Sequence, residues 1–407
     1  DYLAQDSREV PQSLLERSWR DLGNAPLAAS RYTSQAFFDL EVERMWTRVW
    51  QMACREEELP EAGDTIVYDI VGRSLLITRQ ADGSIRAFHN SCTHRGRKLL
   101  LADERVEHFR CPFHGFSWQL DGSVRSIPCR WDFEHVGDGD FGLPEARVGT
   151  WGGFVFVNFD AGAIPLAQYL EVVPDHFSRW RLEDCWKAVH VAKVIRCNWK
   201  VAQEAFMESY HVIATHPQIL PIIADANSQY DIYGEHVSRN LAAFAAPSPH
   251  LGAGNFDPQQ TLDGMLQLMG RKPGAMNAAD APSPRAALGE LNRRAFARAF
   301  EGDFSQVTDA ETLDAMVYNI FPNFSPWGGF APNIVYRWRP NGRDVGSCVM
   351  EVMILKRRDR GQSRPRPVPV HWLREDEAWS DAKEIPILGP VIDQDMSNMP
   401  YVQEGLV

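Results

Sequence analysis

The chain has 407 residues, of which 44% are hydrophobic and 24% charged, and its net charge is −12 at pH 7. This composition is typical of a globular protein of about two domains, each large enough for its own core. The negative charge excludes a general nucleic-acid binder. The sequence contains no run of eighteen apolar residues, which is the length that a membrane-spanning helix needs. The first twenty residues lack a signal-peptide hydrophobic core, so we expect a cytoplasmic location. The start at Asp1 suggests that some residues precede it.

Residues 1 to 58 predict an N-terminal arm with one amphipathic helix. Ser34 is a suitable N-cap, because its hydroxyl can accept a hydrogen bond from a free N–H of the first turn. The apolar side of this helix consists of Phe37, Phe38, Leu40, Met45, Trp46 and Val49. We expect it to be a packing helix.

Residues 63 to 160 alternate apolar and polar side chains between turn formers, which predicts short antiparallel strands. Asp82-Gly83 and Asp121-Gly122 each separate two such runs and predict hairpin turns. A β run at residues 151–158 closes the region. We therefore expect a small β-sandwich here.

Two cysteine–histidine pairs lie in this β region, Cys92-Thr-His94 and Cys111-Pro-Phe-His114, with sixteen residues between them. Two Cys and two His suit a tetrahedral zinc, or an iron–sulfur cluster in which two imidazoles replace two thiolates on one iron. Zinc fingers use a longer Cys-to-His spacing within each half. Four ligand-type residues rarely meet by accident at this spacing, so we favour the cluster over zinc and over chance burial.

The chain beyond residue 163 changes to helices and longer strands. The predicted helices are 166–180, 198–215, 262–269 and 284–300, and the predicted strands are 186–197, 319–325, 333–339 and 345–355. Residues 357–370 are basic and proline-rich, which predicts a loop.

The second of these helices carries another candidate metal site. On a regular helix Glu204, Glu208 and His211 would lie at i, i+4 and i+7 and share one face. His216 follows five residues later, and the two imidazoles can converge if the last turn loosens. Two His and one carboxylate form the facial triad of non-haem Fe(II) oxygenases, which leaves positions open for oxygen and substrate. The carboxylate candidates lie in Asp393-Gln394-Asp395.

Together these regions resemble the signatures of Rieske non-haem iron aromatic-ring-hydroxylating oxygenases, in their alpha (large) subunit. The first signature is Cys-x-His followed by Cys-x-x-His. The second is matched by Asn198-Trp199-Lys200, Glu204, Glu208-Ser209-Tyr210-His211, His216 and Gln394-Asp395. Most ring dioxygenases of the family have Asp where this chain has Glu208, and Glu is similar to the carnitine and glycine-betaine oxygenase branch.

The resemblance implies an α+β fold of three parts. Residues 59–162 would form an all-β Rieske [2Fe–2S] domain. Residues 163–407 would form a helix-grip (START-like) catalytic domain with an antiparallel sheet. The arm, residues 1–58, would pack on the catalytic domain.

The resemblance also implies one [2Fe–2S] cluster and one mononuclear Fe(II) per chain. The implied ligands are Cys92, His94, Cys111 and His114 for the cluster, and His211, His216 and Asp395 for the iron, with Asp393 as the alternative third ligand. Glu208 would be the catalytic link between His114 of a neighbouring chain and His211. This arrangement implies a homotrimer (α3), to which a separate β subunit can be added.

The implied activity is that of the terminal oxygenase of a multicomponent system. O2 and electrons from NAD(P)H, delivered by a ferredoxin or a flavin reductase, would hydroxylate a small organic substrate. The apolar character of residues 210–330 favours an aromatic or polycyclic substrate, whereas Glu208 favours monooxygenation or demethylation of a quaternary ammonium or methylamine compound. We favour the apolar substrate, and its candidate lining is Phe206, Met207, Ile213, Phe244, Phe321, Phe324, Trp327 and Phe330.

Several features near the ligand pairs have two interpretations. Arg95, Arg97, Lys98 and Arg110 are either a solvated rim or a docking site for an acidic electron donor. Trp118 either shields the cluster or belongs to the β core.

Two other functional classes remain open from sequence. A Rieske electron-transfer protein would leave His211 and His216 idle and would hold two irons per chain rather than three. A zinc-stabilised binding protein would be colourless.

The five cysteines outside the cluster motif are scattered and odd in number. This argues against a disulfide framework and for a reducing compartment. We expect each to be a small buried or half-buried apolar residue: Cys54, Cys129, Cys185, Cys197 and Cys348.

Overall fold

The structure is a computed structural model that describes residues 2–252, 256–363 and 365–407. The chain forms two compact units, which we call the central unit (residues 36–169) and the flanking unit (residues 1–35 with 170–407). The predicted boundaries fell after residues 58 and 162. Residues 36–58 group with the central unit, because the strand Gln51–Arg55 pairs with the strand Phe154–Asn158.

Most helices in the described part of the chain are short. They are α1 (Gln12–Leu15), α2 (Ser30–Thr33), α3 (Gln35–Glu41), α4 (Leu166–Tyr169), α5 (Val173–His176), α6 (Trp199–Glu204), α7 (Val212–Thr215), α8 (Pro258–Leu268), α9 (Pro284–Ala299), α10 (Asp309–Leu313), α11 (Leu388–Met396) and α12 (Met399–Gly405). The helix predicted at 166–180 is therefore two short helices. Among the described helices, none combines the length and the apolar character needed to cross a bilayer.

The central unit is built from ten strands. They are β1 (Gln51–Arg55), β2 (Asp64–Ile70), β3 (Arg73–Arg79), β4 (Ile85–His89), β5 (Glu104–Arg105), β6 (Phe109–Arg110), β7 (Ser117–Trp118), β8 (Val124–Ser126), β9 (Glu145–Trp151) and β10 (Phe154–Asn158). Seven of them form an antiparallel sheet in the order β1-β10-β9-β4-β3-β2-β5, and β6-β7-β8 form a smaller sheet. Both predicted Asp-Gly turns join antiparallel neighbours, β3 to β4 and β7 to β8.

The flanking unit is built on one eight-stranded sheet. Its strands are β11 (Cys185–Ile195), β12 (Gln229–Tyr233), β13 (Val237–Ala242), β14 (Ala315–Ile320), β15 (Phe324–Pro326), β16 (Ile334–Asn341), β17 (Asp344–Arg357) and β18 (His371–Leu373). Their order is β12-β13-β14-β15-β16-β17-β11-β18, and only the β11–β18 pair is parallel. The predicted fold class, α+β with an antiparallel catalytic sheet after a β domain, is confirmed.

The two faces of this sheet differ because side chains alternate along each strand. On one face of β16, Tyr336 and Trp338 contact Phe206, which follows α6, so we call this the site face. On the other, the charged face, Arg337 and Arg339 bind Glu351 of β17.

The N-terminal residues run along the outer edge of the sheet. The Ile232 N–H of β12 donates to the Ser18 carbonyl at 2.9 Å. The buried Arg239 donates to the carbonyls of Ser13 and Glu16 at 2.7 and 2.8 Å. The first bond satisfies a backbone group that the edge strand β12 would otherwise leave open, and the other two hold the N-terminal residues to β13.

The seven cysteines, all among the described residues, form no disulfide. Six are buried, and Cys129 is exposed, contrary to the expectation of burial. It lies in a surface turn with φ of 55°.

Candidate metal centres

Two matching loops of the central unit carry the four predicted cluster ligands. In the first, the Cys92 N–H donates to the Arg97 carbonyl at 2.8 Å and the Gly96 N–H donates to the Cys92 carbonyl at 2.7 Å. The second repeats this pattern: Cys111 and Phe116 pair at 2.8 Å, and Gly115 donates to the Cys111 carbonyl at 3.0 Å. Each loop therefore folds tightly around its own cysteine.

The loop backbones turn N–H groups toward the sulfur atoms. The N–H groups of His94 and Arg95 reach the thiol of Cys92, and those of Phe113 and His114 reach Cys111. Burial raises the pKa of Cys92. Burial also acts to raise the pKa of Cys111, but its hydrogen bonds outweigh this and lower it. Such donors stabilise thiolate sulfur, which is the ligand form.

The histidines of the two loops meet at the surface. The rings of His94 and His114 lie 4.9 Å apart, edge to face, and both residues are exposed. Cys92 and Cys111 are only 3% and 1% exposed. The donor set therefore fits a cluster held by sulfur on its buried side and by imidazole toward solvent.

Trp118 belongs to the core beneath these loops. It is fully buried, and its indole N–H donates to the Phe141 carbonyl at 2.6 Å. It packs in one apolar cluster with Cys92 and Cys111, so the core and shielding interpretations coincide.

The second candidate site lies where the predicted helix 198–215 is interrupted. Asn198 caps α6 by accepting from the Lys200 N–H, but α6 ends at Glu204 and α7 begins at Val212. The predicted i, i+4, i+7 face is therefore wrong. Glu208 instead folds back, and its carboxylate accepts from the backbone N–H groups of Tyr210 and His211.

His211, His216 and Asp395 come together at this interruption. Within the described residues, they are the group whose ligand atoms lie within 4.8 Å of one another. Asp395 Oδ1 is 2.8 Å from His216 Nε2 and 3.5 Å from His211 Nε2. Two imidazoles and one carboxylate oxygen converging in this way fit an Fe(II) facial triad.

The other nitrogen of each imidazole is held by an acceptor. His211 Nδ1 is 2.7 Å from Glu208 Oε1, and His216 Nδ1 is 2.8 Å from Gln394 Oε1. The Gln394 amide is held in turn by Gln218. Such partners fix the tautomer, so each ring directs Nε2 toward the shared centre.

These contacts shift the pKa values of Glu208 and His216. Burial acts to raise the pKa of Glu208, but the hydrogen bonds from His211 outweigh it and lower the pKa. Burial acts to lower the pKa of His216, but Asp395 and Gln394 outweigh it and raise the pKa. Glu208 therefore stays ionised beside His211.

Asp393, the alternative third ligand, points elsewhere. Its carboxylate accepts from the backbone N–H groups of Trp379 and Ser380 at 2.7 and 3.0 Å. The structure thus separates the two candidates: Asp395 lies with the histidines, and Asp393 caps a turn.

Only some of the predicted pocket-lining residues lie near this site. Val212 packs in an apolar cluster that includes Phe244 and Trp327. Phe206 contacts the site face through Tyr336. Phe206, Phe244 and Trp327 therefore lie on the site face of the sheet.

Two other aromatic candidates lie away from this face, and a third is partly exposed. Phe324 pairs with Arg337 across the strands and so points to the charged face. Phe330 packs against Phe304 in a separate aromatic group, and Phe321 is partly exposed. Apolar character alone could not show which face of a strand each residue would take.

Sequence reasoning missed the residues that support the ligands. In the sequence, Gln394 stands out only as part of a motif, and Gln218 does not stand out at all. Their roles depend on contacts across about 180 residues of sequence, which no local pattern reveals.

Comparison with known proteins places the chain in a class. The Rieske [2Fe-2S] domain family matches residues 49–136, and the ring hydroxylating alpha subunit (catalytic domain) family matches residues 175–407. A β domain with a two-Cys, two-His set and a sheet domain with a two-His, one-carboxylate site define this class. The chain belongs to the ring-hydroxylating alpha subunit family.

Two curated relatives illustrate the range of the family. One is the biphenyl 2,3-dioxygenase subunit alpha of Rhodococcus jostii (strain RHA1), 31% identical over 53% of this chain and 50% of that protein. Another is the glycine betaine monooxygenase oxygenase subunit of Pseudomonas aeruginosa (strain UCBPP-PA14), 26% identical over 48% of this chain and 45% of that protein. The chain spans about half the length of the curated relatives it matches.

Solved structures share the fold. The quaternary ammonium Rieske monooxygenase CntA in complex with L-carnitine superposes with a TM-score of 0.62 at 18% identity, covering 93% of this chain and 84% of that one. Naphthalene 1,2-dioxygenase from Rhodococcus sp. bound to indole gives 0.62 at 19% identity, covering 93% and 82%. Both similarities concern the fold.

Proposed function

We propose that this chain is the terminal oxygenase component of a multicomponent Rieske oxygenase. The observation that carries the proposal is the convergence of His211, His216 and Asp395, because a facial triad leaves other iron positions free. Fe(II) held there would supply O2 activation, and a [2Fe–2S] cluster on the two cysteine loops would supply electrons one at a time. Glu208 and Gln394 hold the imidazole Nδ1 protons and so orient both rings.

The electron route that we propose crosses a subunit boundary. His114 is exposed on the surface of the central unit, and the Glu208 side chain is 35% exposed. A neighbouring chain could therefore bring its His114 to Glu208, which already holds His211. A head-to-tail homotrimer would provide this contact three times, with or without a β subunit.

The substrate that we favour is apolar, aromatic or polycyclic. Next to His211, Val212 packs with Ile223 and Val317, and Trp327 flanks them. An apolar site face with few polar groups is the usual lining of a pocket for such molecules.

A quaternary ammonium or methylamine substrate is the second candidate. It is favoured by Glu208 in place of Asp and by the similarity to glycine betaine and carnitine oxygenases. A cation would need an aromatic cage or an unpaired carboxylate beside the iron. An assay that supplies indole and glycine betaine together and identifies which of them is oxidised distinguishes the two classes.

The electron donor that we propose is a ferredoxin or flavin reductase drawing on NAD(P)H. Arg95 lies over the Phe113 ring at 5.4 Å, whereas Lys98 is paired with Asp69 at 3.0 Å. Of these two cations, Lys98 has a carboxylate partner and Arg95 has an aromatic one. Arg95→Glu should lower donor-driven turnover and flatten its salt dependence, and Arg196→Glu, an exposed site in the flanking unit, is the control.

The test of the oxygenase function is His211→Ala or His216→Ala. Either change should abolish incorporation of labelled oxygen and lower iron from three to two per chain, while the visible spectrum of the cluster persists. Full activity in either variant would contradict the proposal. Two irons in the wild-type protein would favour the electron carrier.

A further inference from the structure

The segment between α6 and α7 carries His211 but is not a regular helix. After α6, Phe206 and Met207 still donate to the carbonyls of Gln203 and Glu204. The N–H groups of residues 209–211 have side-chain acceptors instead, so this part of the segment lacks the backbone bonds of a helix. The Glu208 carboxylate satisfies the N–H groups of Tyr210 and His211 from within the segment. This internal cap fixes the turn itself but does not attach it to the sheet.

Phe206 packs on Tyr336 and Trp338 of the sheet, and Ser209 adds a hydrogen-bonded attachment through two bonds. Its N–H donates to the Tyr230 hydroxyl at 3.0 Å, and its Oγ lies 3.1 Å from Asn240 Nδ2. Ser209 and Asn240 are only 5% and 4% exposed, so the bond between them is shielded from water, whereas Tyr230 is 47% exposed. A serine hydroxyl both donates and accepts, so either orientation of the Asn240 amide meets it.

Tyr230 and Asn240 are a matched pair on the sheet. They lie directly opposite each other on β12 and β13, so their side chains project from the same face about 5 Å apart. This spacing lets one residue hold the Ser209 backbone while the other holds its side chain. Both bonds end two residues before His211 and one residue after Glu208.

We infer that Tyr230 and Asn240 are positioning residues for the iron site. They clamp Ser209 to the edge of the sheet, and the clamp sets the distance of His211 Nε2 from Asp395 and the direction of Glu208. This inference rests on the proposed iron site and adds two residues to it that contact neither metal nor substrate.

The same strand contains a control for the loss of a tyrosine hydroxyl, which differs from Tyr230 in burial, since Tyr230 is 47% exposed. Tyr233 is 3% exposed, and its buried hydroxyl has no hydrogen-bond partner among the described residues. Tyr233→Phe and Tyr230→Phe remove the same atom from the same strand. Only the second change leaves the Ser209 N–H without its acceptor.

The experiment compares the two variants as full chains with the [2Fe–2S] cluster in place. After a chelator has removed the mononuclear iron, each protein is titrated with Fe(II), and the site is read by the EPR spectrum of its nitric oxide adduct. Tyr230→Phe should bind Fe(II) about tenfold more weakly and give a broadened spectrum, as is typical when outer partners of a ligand are lost. Tyr233→Phe should match the wild type.

The outcomes separate this inference from the proposed function. Failure of the wild type to bind Fe(II) would overturn the iron site itself. Tight binding with equal spectra in both variants, or equal losses in both, would overturn the clamp alone. If Tyr230→Phe does not fold, Ser209→Ala removes only the Asn240 arm and should give a smaller change of the same kind, and an unchanged spectrum there would overturn the inference.

Discussion

At the scale of single residues, two aspartates two positions apart have different partners. Asp395 lies 2.8 Å from His216 Nε2, whereas Asp393 accepts from the N–H groups of Trp379 and Ser380. On a helix, neighbours at i and i+2 point in different directions, so one of the two faces the site. The family resemblance favoured Asp395, but residue type and position alone left Asp393 as the alternative, because both stand beside Gln394.

Because the two aspartates have different partners, we expect the Asp→Asn change to have different effects at positions 393 and 395. Asp395→Asn should lose mononuclear iron and turnover, because an amide is a weaker ligand than a carboxylate. Asp393→Asn should retain iron but lower the free energy of unfolding by about 1 kcal/mol, the usual value of a lost cap. Iron analysis and urea unfolding measure both. Iron loss in Asp393→Asn with none in Asp395→Asn would reverse the assignment.

The residue scale also shows where sequence prediction failed. The motifs were sufficient to predict all seven candidate ligands, four for the cluster and three for the mononuclear iron. The helix through Glu204, Glu208 and His211 was wrong, although no Pro or Gly lies between them to signal a break. The break is stabilised by the Glu208 carboxylate, which caps His211, and by Ser209 bonding to the sheet, and such competition is invisible to helical periodicity.

At the scale of elements, the two cysteine loops share one turn geometry but differ in packing. Gly96 and Gly115 have φ of 75° and 79°, where a side chain is disfavoured. A Cβ on Gly115 would lie 3.3 Å from the Pro128 ring, whereas one on Gly96 would meet only Ser91 Oγ at 3.9 Å. The second loop therefore has less room than the first.

We expect Gly115→Ala to be the more damaging of two matched changes. Gly96→Ala should cost about 1 kcal/mol in unfolding free energy and retain the cluster spectrum. Gly115→Ala should cost more and reduce the visible absorption of the cluster, because the loop must shift away from Pro128. Urea unfolding and visible spectroscopy check this order, and the opposite order would show that loop crowding is unimportant.

At the scale of the whole molecule, the charged face of the large sheet contributes stability that depends on pH. Glu351 is 1% exposed and binds Arg337 through two 2.6 Å contacts and Arg339 through one of 2.8 Å. Burial acts to raise the pKa of Glu351, but the two arginines and His190 outweigh it and hold the pKa well below its usual value. A carboxylate with a depressed pKa stabilises the fold above the unfolded value, about 4.3, and this stabilisation is lost as the pH falls through the folded value.

Glu351→Gln should therefore lower the unfolding free energy by about 3 kcal/mol at pH 7, because it takes the carboxylate away from the buried Arg337 and the half-buried Arg339. The difference from the wild type should remain constant down to about pH 4.3 and shrink only at lower pH. Glu375→Gln, which breaks an exposed pair with Arg196, should change stability by less than about 0.5 kcal/mol. Urea unfolding at several pH values measures both, and a Glu351→Gln deficit that grows as the pH falls would refute the argument.

The path of the chain has a consequence for taking this protein apart. The polypeptide leaves the flanking unit after residue 35 and rejoins it at residue 170, so the central unit is an insertion into a discontinuous domain. A fragment of residues 36–169 would keep its whole sheet. In a fragment of residues 170–407, Arg239 would lose the carbonyls of Ser13 and Glu16. Strand β12 would then be an uncovered edge that can pair with another copy of the fragment. A chimera that exchanges either unit with a relative therefore needs two junctions, near residues 35 and 170. Only the central unit can be exchanged as one continuous segment.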